Sequence, residues 1–205
     1  MPIIHGNYKN IVLAPSSAQE MYDFTKKAFS LADTYRVSVI VLGDAYIGQI
    51  METVEIEGEV EHSERKDWAI YGDAESRENL ITSIHMSPKL MGEHNQLLQD
   101  VYKKIENDIV DYEEVNTLHA SVIFITYGII SRICHSAVIQ LRKLGIKAGM
   151  LRLKTLFPFP KEKILSFASK QVPLIVVELS NGQMCEDVIL SAKNLTNIIP
   201  FLQMG

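Results

Sequence analysis

An apolar run that stops at a proline and gives way to an amphipathic helix constrains this chain more than any other stretch. Residues 11–15, Ile-Val-Leu-Ala-Pro, have the length and β-branched content of a short buried strand. Ser17-Ala18-Gln19-Glu20 then has the form of a capping box, in which a hydroxyl and a carboxylate satisfy the first free N–H groups of a helix. Met21, Phe24, Ala28, Leu31 and Tyr35 recur at spacings of three and four, which puts them on one face of a helix running to about Tyr35. Val37-Ser38-Val39-Ile40-Val41-Leu42 follows as a second strand, ended by Gly43-Asp44. Strand, helix and strand with short joins imply a right-handed βαβ unit and a parallel sheet.

From about Thr53 to Leu118 acidic and polar residues dominate and the hydrophobic periodicity weakens. Pro88 to about Asp108 predicts one helix there, with Pro88 in the first turn and Leu97, Val101 and Ile105 on one face. A structureless loop of that length is unusual inside one compact domain, so the stretch reads as an interdomain linker that wraps over a neighbouring surface. The alternation then resumes. Ser121 to Thr126, Lys147 to Leu153 and Leu174 to Glu178 read as strands, with Asn197 to Ile199 a last short one. Ile130 to about Leu144, Lys161 to Lys170 and Gln183 to Lys193 read as helices. That is a complete small doubly wound unit, whereas residues 1–58 offer only two strands, fewer than a sheet needs for independent stability. The expected division is the end of a larger domain over 1–58, a linker with one helix over 59–117, and an α/β domain over 118–205.

At 205 residues, 47% of them apolar, the chain is long enough to bury a substantial core. Its formal charge of −5 is not collected in a tail, so no footprint for nucleic acid or anionic lipid stands out. The apolar runs are far shorter than the roughly 20 residues needed to span a bilayer, and the N-terminus lacks a signal-type segment, which makes the cytoplasm the expected location. Cys134 and Cys185 stand alone and far apart, as reduced thiols. An iron–sulfur cluster needs about four thiolates, so this chain cannot supply one. The histidines at 5, 62, 85, 94, 119 and 135 show no metal-ligand spacing, and neither Gly-x-Gly-x-x-Gly nor a Gly-x-x-x-x-Gly-Lys-Ser/Thr loop is present.

Several groups carry two readings each. Tyr127-Gly128 closes a strand and opens a helix, and the free N–H groups around Ile129 to Ser131 could hold an anion, with Gly128, Ser131 and Arg132 as its contacts. A plain strand-to-helix turn that Gly128 permits accounts for the same residues. Asn181, Gly182 and Gln183 sit at the equivalent turn beside it, where open parallel sheets bind ligands or partners; a tight turn with a capping asparagine is the alternative. Phe157-Pro158-Phe159-Pro160 could pack on another subunit or under the following helix. Glu186-Asp187 could move protons or simply be first-turn acids favoured by the helix dipole.

Five segments decide the reading. They are His5-Gly6-Asn7-Tyr8 through Ile11-Val12-Leu13-Ala14-Pro15-Ser16-Ser17-Ala18-Gln19-Glu20; Gly48-Gln49-Ile50-Met51-Glu52-x-Val54; Tyr127-Gly128-x-x-Ser131-Arg132; Thr155-Leu156-Phe157-Pro158-Phe159-Pro160; and Val177-Glu178-Leu179-Ser180-Asn181-Gly182-Gln183-Met184-Cys185-Glu186-Asp187-Val188. In order and spacing they resemble the alpha-type subunit of 2-oxoacid:ferredoxin oxidoreductases over nearly the whole chain. Trp68-Ala69, Gly72, Arg77-Glu78-Asn79 and Glu93-His94-Asn95 resemble the branched-chain (2-oxoisovalerate) type more than the 2-oxoglutarate type. The departure is Leu153-Lys154-Thr155, where the family has a proline after the arginine.

The resemblance implies the C-terminal part of a thiamine pyrimidine-binding domain, a linker, and a transketolase-C-terminal-like three-layer α/β domain with a mostly parallel sheet. It implies a complex that decarboxylates a 2-oxoacid on thiamine diphosphate, reduces ferredoxin through iron–sulfur clusters and forms an acyl-CoA. In the family a glutamate early in the first domain activates the pyrimidine, and this chain begins after that part. Catalytic, cofactor-binding and metal-ligating residues are therefore assigned to none of its positions. The Gly-Asp-Gly signature with downstream asparagines that holds the diphosphate and magnesium is also lacking; Gly43-Asp44-Ala45 and Gly72-Asp73-Ala74 come nearest. The expected partners are the other oxidoreductase subunits, with ferredoxin and coenzyme A at the level of the complex, and neither nucleic acid nor membrane. The alternative is a stand-alone interaction or regulatory module that docks on such a complex.

Overall fold

The computed structural model describes residues 8–56, 65–81 and 84–204; His5-Gly6-Asn7, His62 and residues 57 and 58 of the first expected segment lie outside the described residues. The chain divides into two compact units, one made of residues 1–54 with 101–205 and the other of residues 55–100.

The first unit contains two sheets. One is three-stranded, with β1 (Ile11–Leu13) between β2 (Val39–Val41) and β6 (Thr155–Phe157). β1 and β2 are parallel, joined by α1 (Ala18–Tyr35), as the βαβ reading requires. β6, from the last third of the chain, pairs antiparallel with β1, Val12 facing Phe157. At the start of α1 the Ser17 side chain accepts the Glu20 N–H at 3.1 Å. The Glu20 carboxylate reaches one residue further back than a reciprocal box would place it, accepting the Ser16 N–H at 2.8 Å. Phe24 and Ala28 are buried on the expected helix face.

The second sheet has the order β3-β5-β4-β7-β8, formed by Tyr112–Val115, Ala148–Leu153, Val122–Tyr127, Leu174–Glu178 and Ile198–Leu202. β5, β4, β7 and β8 are parallel neighbours and β3 is antiparallel at the edge. Period-two alternation sends Ile123, Ile125, Leu151, Leu153, Leu174 and Val176 to one face, against α4 (Lys161–Ala168) and α5 (Gln183–Ala192). Ala148, Met150 and Val177 face the other way and pack on Cys134 and Val138 of α3 (Ile130–Lys143). The result is three layers, α/β/α, with a core of branched aliphatic side chains.

β3 and β6 differ from the sequence reading. β3 lies within the stretch read as linker, and its Glu113 and Glu114 are exposed on an edge strand, so no apolar alternation marks it. β6 has only three residues between Leu153 and Pro158. β8 runs on through Pro200, which an edge strand tolerates.

In the helix α2 (Pro88–Asp108), Tyr102 and Ile105 are buried while Leu97 is exposed. Residues 65–80 of the other unit form a tight polar turn system around a 3₁₀ segment, Ser76–Asn79. Among the described residues no helix is long and apolar enough to cross a membrane.

Candidate functional site

Strand β4 lies at the centre of the larger sheet. The chain moves from it to β5 on one side and later to β7 on the other, so the order reverses between β4 and β7, and the crevice at their C-terminal ends is where such sheets bind ligands. Both turns singled out in the sequence end up there. Gly128, Ser131 and Arg132 open α3 after β4, while Asn181, Gly182 and Gln183 open α5 after β7. The turns are close enough that Tyr127 Oη lies 3.5 Å from Ser180 Oγ.

The α5 turn is organised by a residue that sequence reasoning passed over. Glu178, at the end of β7, is fully buried. Its Oε1 accepts the Cys185 N–H at 2.9 Å, and its Oε2 accepts the Met184 N–H at 3.1 Å and the Ser180 hydroxyl. The strand thus caps the helix with a carboxylate, where the helix dipole favours negative charge. Gly182 is the N-cap residue, at φ 96°, and Asn181 is exposed beside it. Burial is the main reason that the Tyr127 hydroxyl is pushed up; Ser180 opposes the shift, and the nearby Glu178 and Asp44 carboxylates reinforce it.

The α3 turn does hold an anionic group, and that group belongs to the chain itself. Ile129 donates its N–H to Asp44 Oδ2 at 3.0 Å, and Asp44 Oδ1 accepts the Ile47 N–H at 2.9 Å. Gly128 sits at φ +66°, and a Cβ built on it would lie 3.2 Å from the Asp44 carboxylate. Ser131 is buried and donates its hydroxyl to Gly128 O at 2.7 Å, while the Ser131 and Arg132 N–H groups bond back to Gly128 and Ile129 carbonyls. Arg132 pairs with Glu52, whose other oxygen accepts the Ala18 N–H of α1 at 3.0 Å. That backbone bond first, then Arg132, holds the Glu52 carboxyl below the usual range. Two of the sequence segments singled out separately, 48–54 and 127–132, therefore meet in space. A cavity of about 150 Å³ remains beside them, lined by Leu42, Asp44, Tyr127, Gly128, Ile130 and Leu179 among others.

A second cluster was not foreseen. Arg152 on β5 is 5% exposed. Its Nη1 and Nη2 donate to Glu20 at 2.8 and 2.6 Å, Nη1 also reaches Ser16 Oγ, and Nε lies 2.9 Å from Glu113 Oε2 without an aligned hydrogen bond. Burial alone would raise the Glu20 carboxyl; the Arg152 and Ser16 hydrogen bonds overcome it and bring the group from 4.5 down to about 2. A cleft of about 400 Å³ opens beside this cluster, with Arg132 and His135 on its wall. The signal in the sequence was an arginine inside the apolar run Met150-Leu151-Arg152-Leu153, which a buried strand accepts only with a carboxylate partner.

The remaining candidates resolve simply. Cys134 is in the core and His135 is exposed. Phe159 is buried in the core with α4 and α5, and the Phe157 ring has the Lys9 ammonium 5.2 Å from its centroid. Glu186 lies in the first turn of α5. Among the described residues no group of three His, Cys, Asp or Glu side chains could hold a metal ion.

Residues 2–117 match the family model described as pyruvate flavodoxin/ferredoxin oxidoreductase, thiamine diphosphate-binding, and residues 120–205 match pyruvate:ferredoxin oxidoreductase core domain II. Ketoisovalerate oxidoreductase subunit VorB of Methanothermobacter marburgensis is 47% identical over 92% of this chain and 54% of its own length. 2-Oxoglutarate synthase subunit KorA of Methanocaldococcus jannaschii is 32% identical over 98% of this chain and 61% of its own length. Among solved structures, the 2-oxoglutarate:ferredoxin oxidoreductase of Magnetococcus marinus, with 2-oxoglutarate, coenzyme A and succinyl-CoA bound, superposes with a TM-score of 0.75 at 18% identity, covering 98% of this chain and 40% of that one. The chain thus spans little more than half the length of the curated relatives it matches.

Proposed function

The chain belongs to the pyruvate flavodoxin/ferredoxin oxidoreductase family, and on that premise we propose that it is part of the alpha-type subunit of a thiamine-diphosphate-dependent 2-oxoacid:ferredoxin oxidoreductase. The observation that carries the reading is the pair of domain matches, in order and almost contiguous, on one chain. The complex would cleave the carboxylate carbon from a 2-oxoacid as CO₂, pass two electrons to ferredoxin and transfer the acyl group to the coenzyme A thiol. Thiamine diphosphate would supply the carbanion chemistry when bound. We place the complex in the cytoplasm, with its magnesium and iron–sulfur clusters in other polypeptides.

We infer that thiamine diphosphate and magnesium are held in the assembled complex and not by this chain alone. The described residues offer no cluster able to hold magnesium. The fully buried carboxylate, Glu178, has both oxygens committed to α5, and the amide at the start of α3 is committed to Asp44. Asp44 and Glu52 tie the 43–54 loop to the starts of α1 and α3, and Arg152 ties Glu20 to the larger sheet.

A branched-chain 2-oxoacid is the favoured substrate, supported by 47% identity to the ketoisovalerate subunit against 32% to the 2-oxoglutarate one. The proposed division remains 1–58, 59–117 and 118–205, supported at its last boundary by the matched stretches, although β3 reaches across that boundary to pair with β5. One observation favours the second reading, a stand-alone module: β6 covers one side of β1, so the first segment is built into the same unit as the last third.

Assembly decides between them. The chain should be co-produced with the other subunits of the Methanothermobacter marburgensis ketoisovalerate oxidoreductase and the part of VorB that it does not span. Ferredoxin reduction should then appear with 2-oxoisovalerate, more slowly with 2-oxoglutarate, and not with the chain alone. Assembly with no 2-oxoacid-dependent reduction would favour the module.

A further inference from the structure

The cleft of about 400 Å³ beside Arg152 has the size of a small-ligand site and a wall of nitrogen donors. Arg132, His135 and Ser136 stand at i, i+3 and i+4 on α3, so they share one face of the helix, and all three are exposed. That face lines the cleft, together with Met150 and Arg152 of β5, both of which are buried. Every one of these residues belongs to the same compact unit.

The internal partners do not use up these donors. A guanidinium carries five N–H groups in a fixed fork, and Arg132 gives Nη1 to Glu52 and has no further acceptor among the described residues. Arg152 gives its two Nη atoms to Glu20 and Ser16. Its Nε is buried without an aligned acceptor, since Glu113 Oε2 lies 2.9 Å away but off the N–H direction. A buried donor left in that state is costly, and a ligand atom is one way to satisfy it. His135 has no hydrogen-bond partner among the described residues. The Ser136 hydroxyl already donates, to Arg132 O at 3.1 Å.

We propose that this cleft binds the dianionic phosphate of a small molecule, with Arg132 and His135 as its exposed donors and the Arg152 Nε–H as its buried one. Charge selects the anion. Glu20, Glu52 and Glu113 already stand against the two guanidiniums, so a ligand carboxylate would only repeat what the chain supplies. A phosphate carries close to two charges at neutral pH and three acceptor oxygens, one for each of the three donor groups. Glu20 and Glu52 keep their bonds when it binds. Glu113, exposed on the edge strand β3, is the group that yields. The source is either free inorganic phosphate or a phosphate monoester whose organic part fills the rest of the cleft. The site does not depend on the subunit reading.

The test titrates the isotope-labelled full chain with inorganic phosphate and, separately, with phenyl phosphate, at an ionic strength held constant with chloride. NMR should show saturable millimolar binding that moves the Arg132, His135 and Ser136 amides and the Arg152 Nε–H signal. Arg132→Gln should weaken the affinity about tenfold, as for the loss of one charge-assisted hydrogen bond, and Arg132→Lys less. His135→Ala removes an exposed ring with no other partner and should weaken it several-fold with the fold intact by circular dichroism. Phenyl phosphate binding several-fold tighter than inorganic phosphate supports the site and assigns it to a phosphorylated metabolite; equal affinities support it as a site for free phosphate. The absence of any saturable shift overturns the proposal. So do shifts that collect at Lys161 and Lys163 and leave the Arg152 Nε–H in place, or an affinity that His135→Ala leaves unchanged.

Discussion

Arg152 on β5 grips both carboxylate oxygens of Glu20, 132 residues away in sequence, with two charge-assisted hydrogen bonds of 2.8 and 2.6 Å. Glu20 belongs to the first helix and Arg152 to the larger sheet, so one ion pair joins α1 to that sheet. Without Glu20 the buried guanidinium keeps Glu113 as its remaining carboxylate, 2.9 Å from Nε.

Glu20→Gln should destabilise the chain by about 2 kcal/mol at pH 7, the cost of losing the charge-assisted hydrogen bonds between the carboxylate and a buried guanidinium. Because the folded Glu20 carboxyl is depressed from 4.5 to about 2, the unfolded chain binds its proton first as pH falls. The Glu20 contribution is full above about pH 4.5 and is lost between there and about pH 2. Urea unfolding between pH 7 and 2 should show this extra acid sensitivity in the wild type and not in Glu20→Gln. Identical midpoints at pH 7 would mean that the pair does not contribute.

Asp44→Ala should release the Ile129 amide at the start of α3. The expected cost is about 1 kcal/mol, as for other lost helix caps, with Asp44→Asn closer to wild type because an amide oxygen still accepts. Hydrogen exchange followed by NMR should show Ile129 exchanging faster in Asp44→Ala. Unchanged protection of Ile129 would show that the contact does not persist in solution.

Glu178→Ala should cost about 2–3 kcal/mol, since it leaves buried N–H groups at the start of α5 without an acceptor. The cost should be read from denaturant midpoints, together with loss of amide protection at Met184 and Cys185. If protection stays in place, another group caps α5.

The β2 edge is a Val-Ile-Val strand with neither charge nor proline to blunt it, beside an apolar groove of about 340 Å³ lined by Thr25, Ala28, Phe29, Ala32, Val39 and Val41. It should take up a further strand when the rest of a thiamine-binding domain is present. In isolation the chain should self-associate slowly at high concentration, and Val39→Lys should suppress this in light scattering. Equal scattering from both would show that the edge is already protected.

Titrated with thiamine diphosphate and magnesium in a calorimeter, the isolated chain should bind no better than millimolar. Saturable micromolar heat would mean that the chain carries a cofactor site of its own.

Much of the scaffold was legible because its signals are local. Ser17 and Glu20 announce a helix start, Val122 to Ile125 and Leu174 to Val177 announce strands buried on both faces, and period two assigns their side chains to opposite layers. β3 was not legible, since its middle residues are glutamates whose partners, Arg152 and Lys163, come from distant elements. The site was legible by halves. Gly128, Ser131, Arg132 and Asn181 to Gln183 lie on the two adjacent turns anticipated, but Asp44 and Glu52 reach them from loops about 80 residues earlier, which no periodicity records. Glu178 was quoted within a family segment, yet its role appears only once strand and helix are folded back on each other.

The antiparallel pairing of Val12 with Phe157 also sets an order of events during synthesis. Until residue 157 has left the ribosome, one edge of β1 has no partner, and Glu20 has no guanidinium before residue 152 emerges. Pairings so distant in sequence carry a loop-closure cost that slows folding, and they leave unpaired strand edges exposed while the chain grows. From the emergence of residue 13 to that of residue 157 the strand Ile11–Leu13 therefore stays open on one edge, and stop codons between those points should give insoluble products.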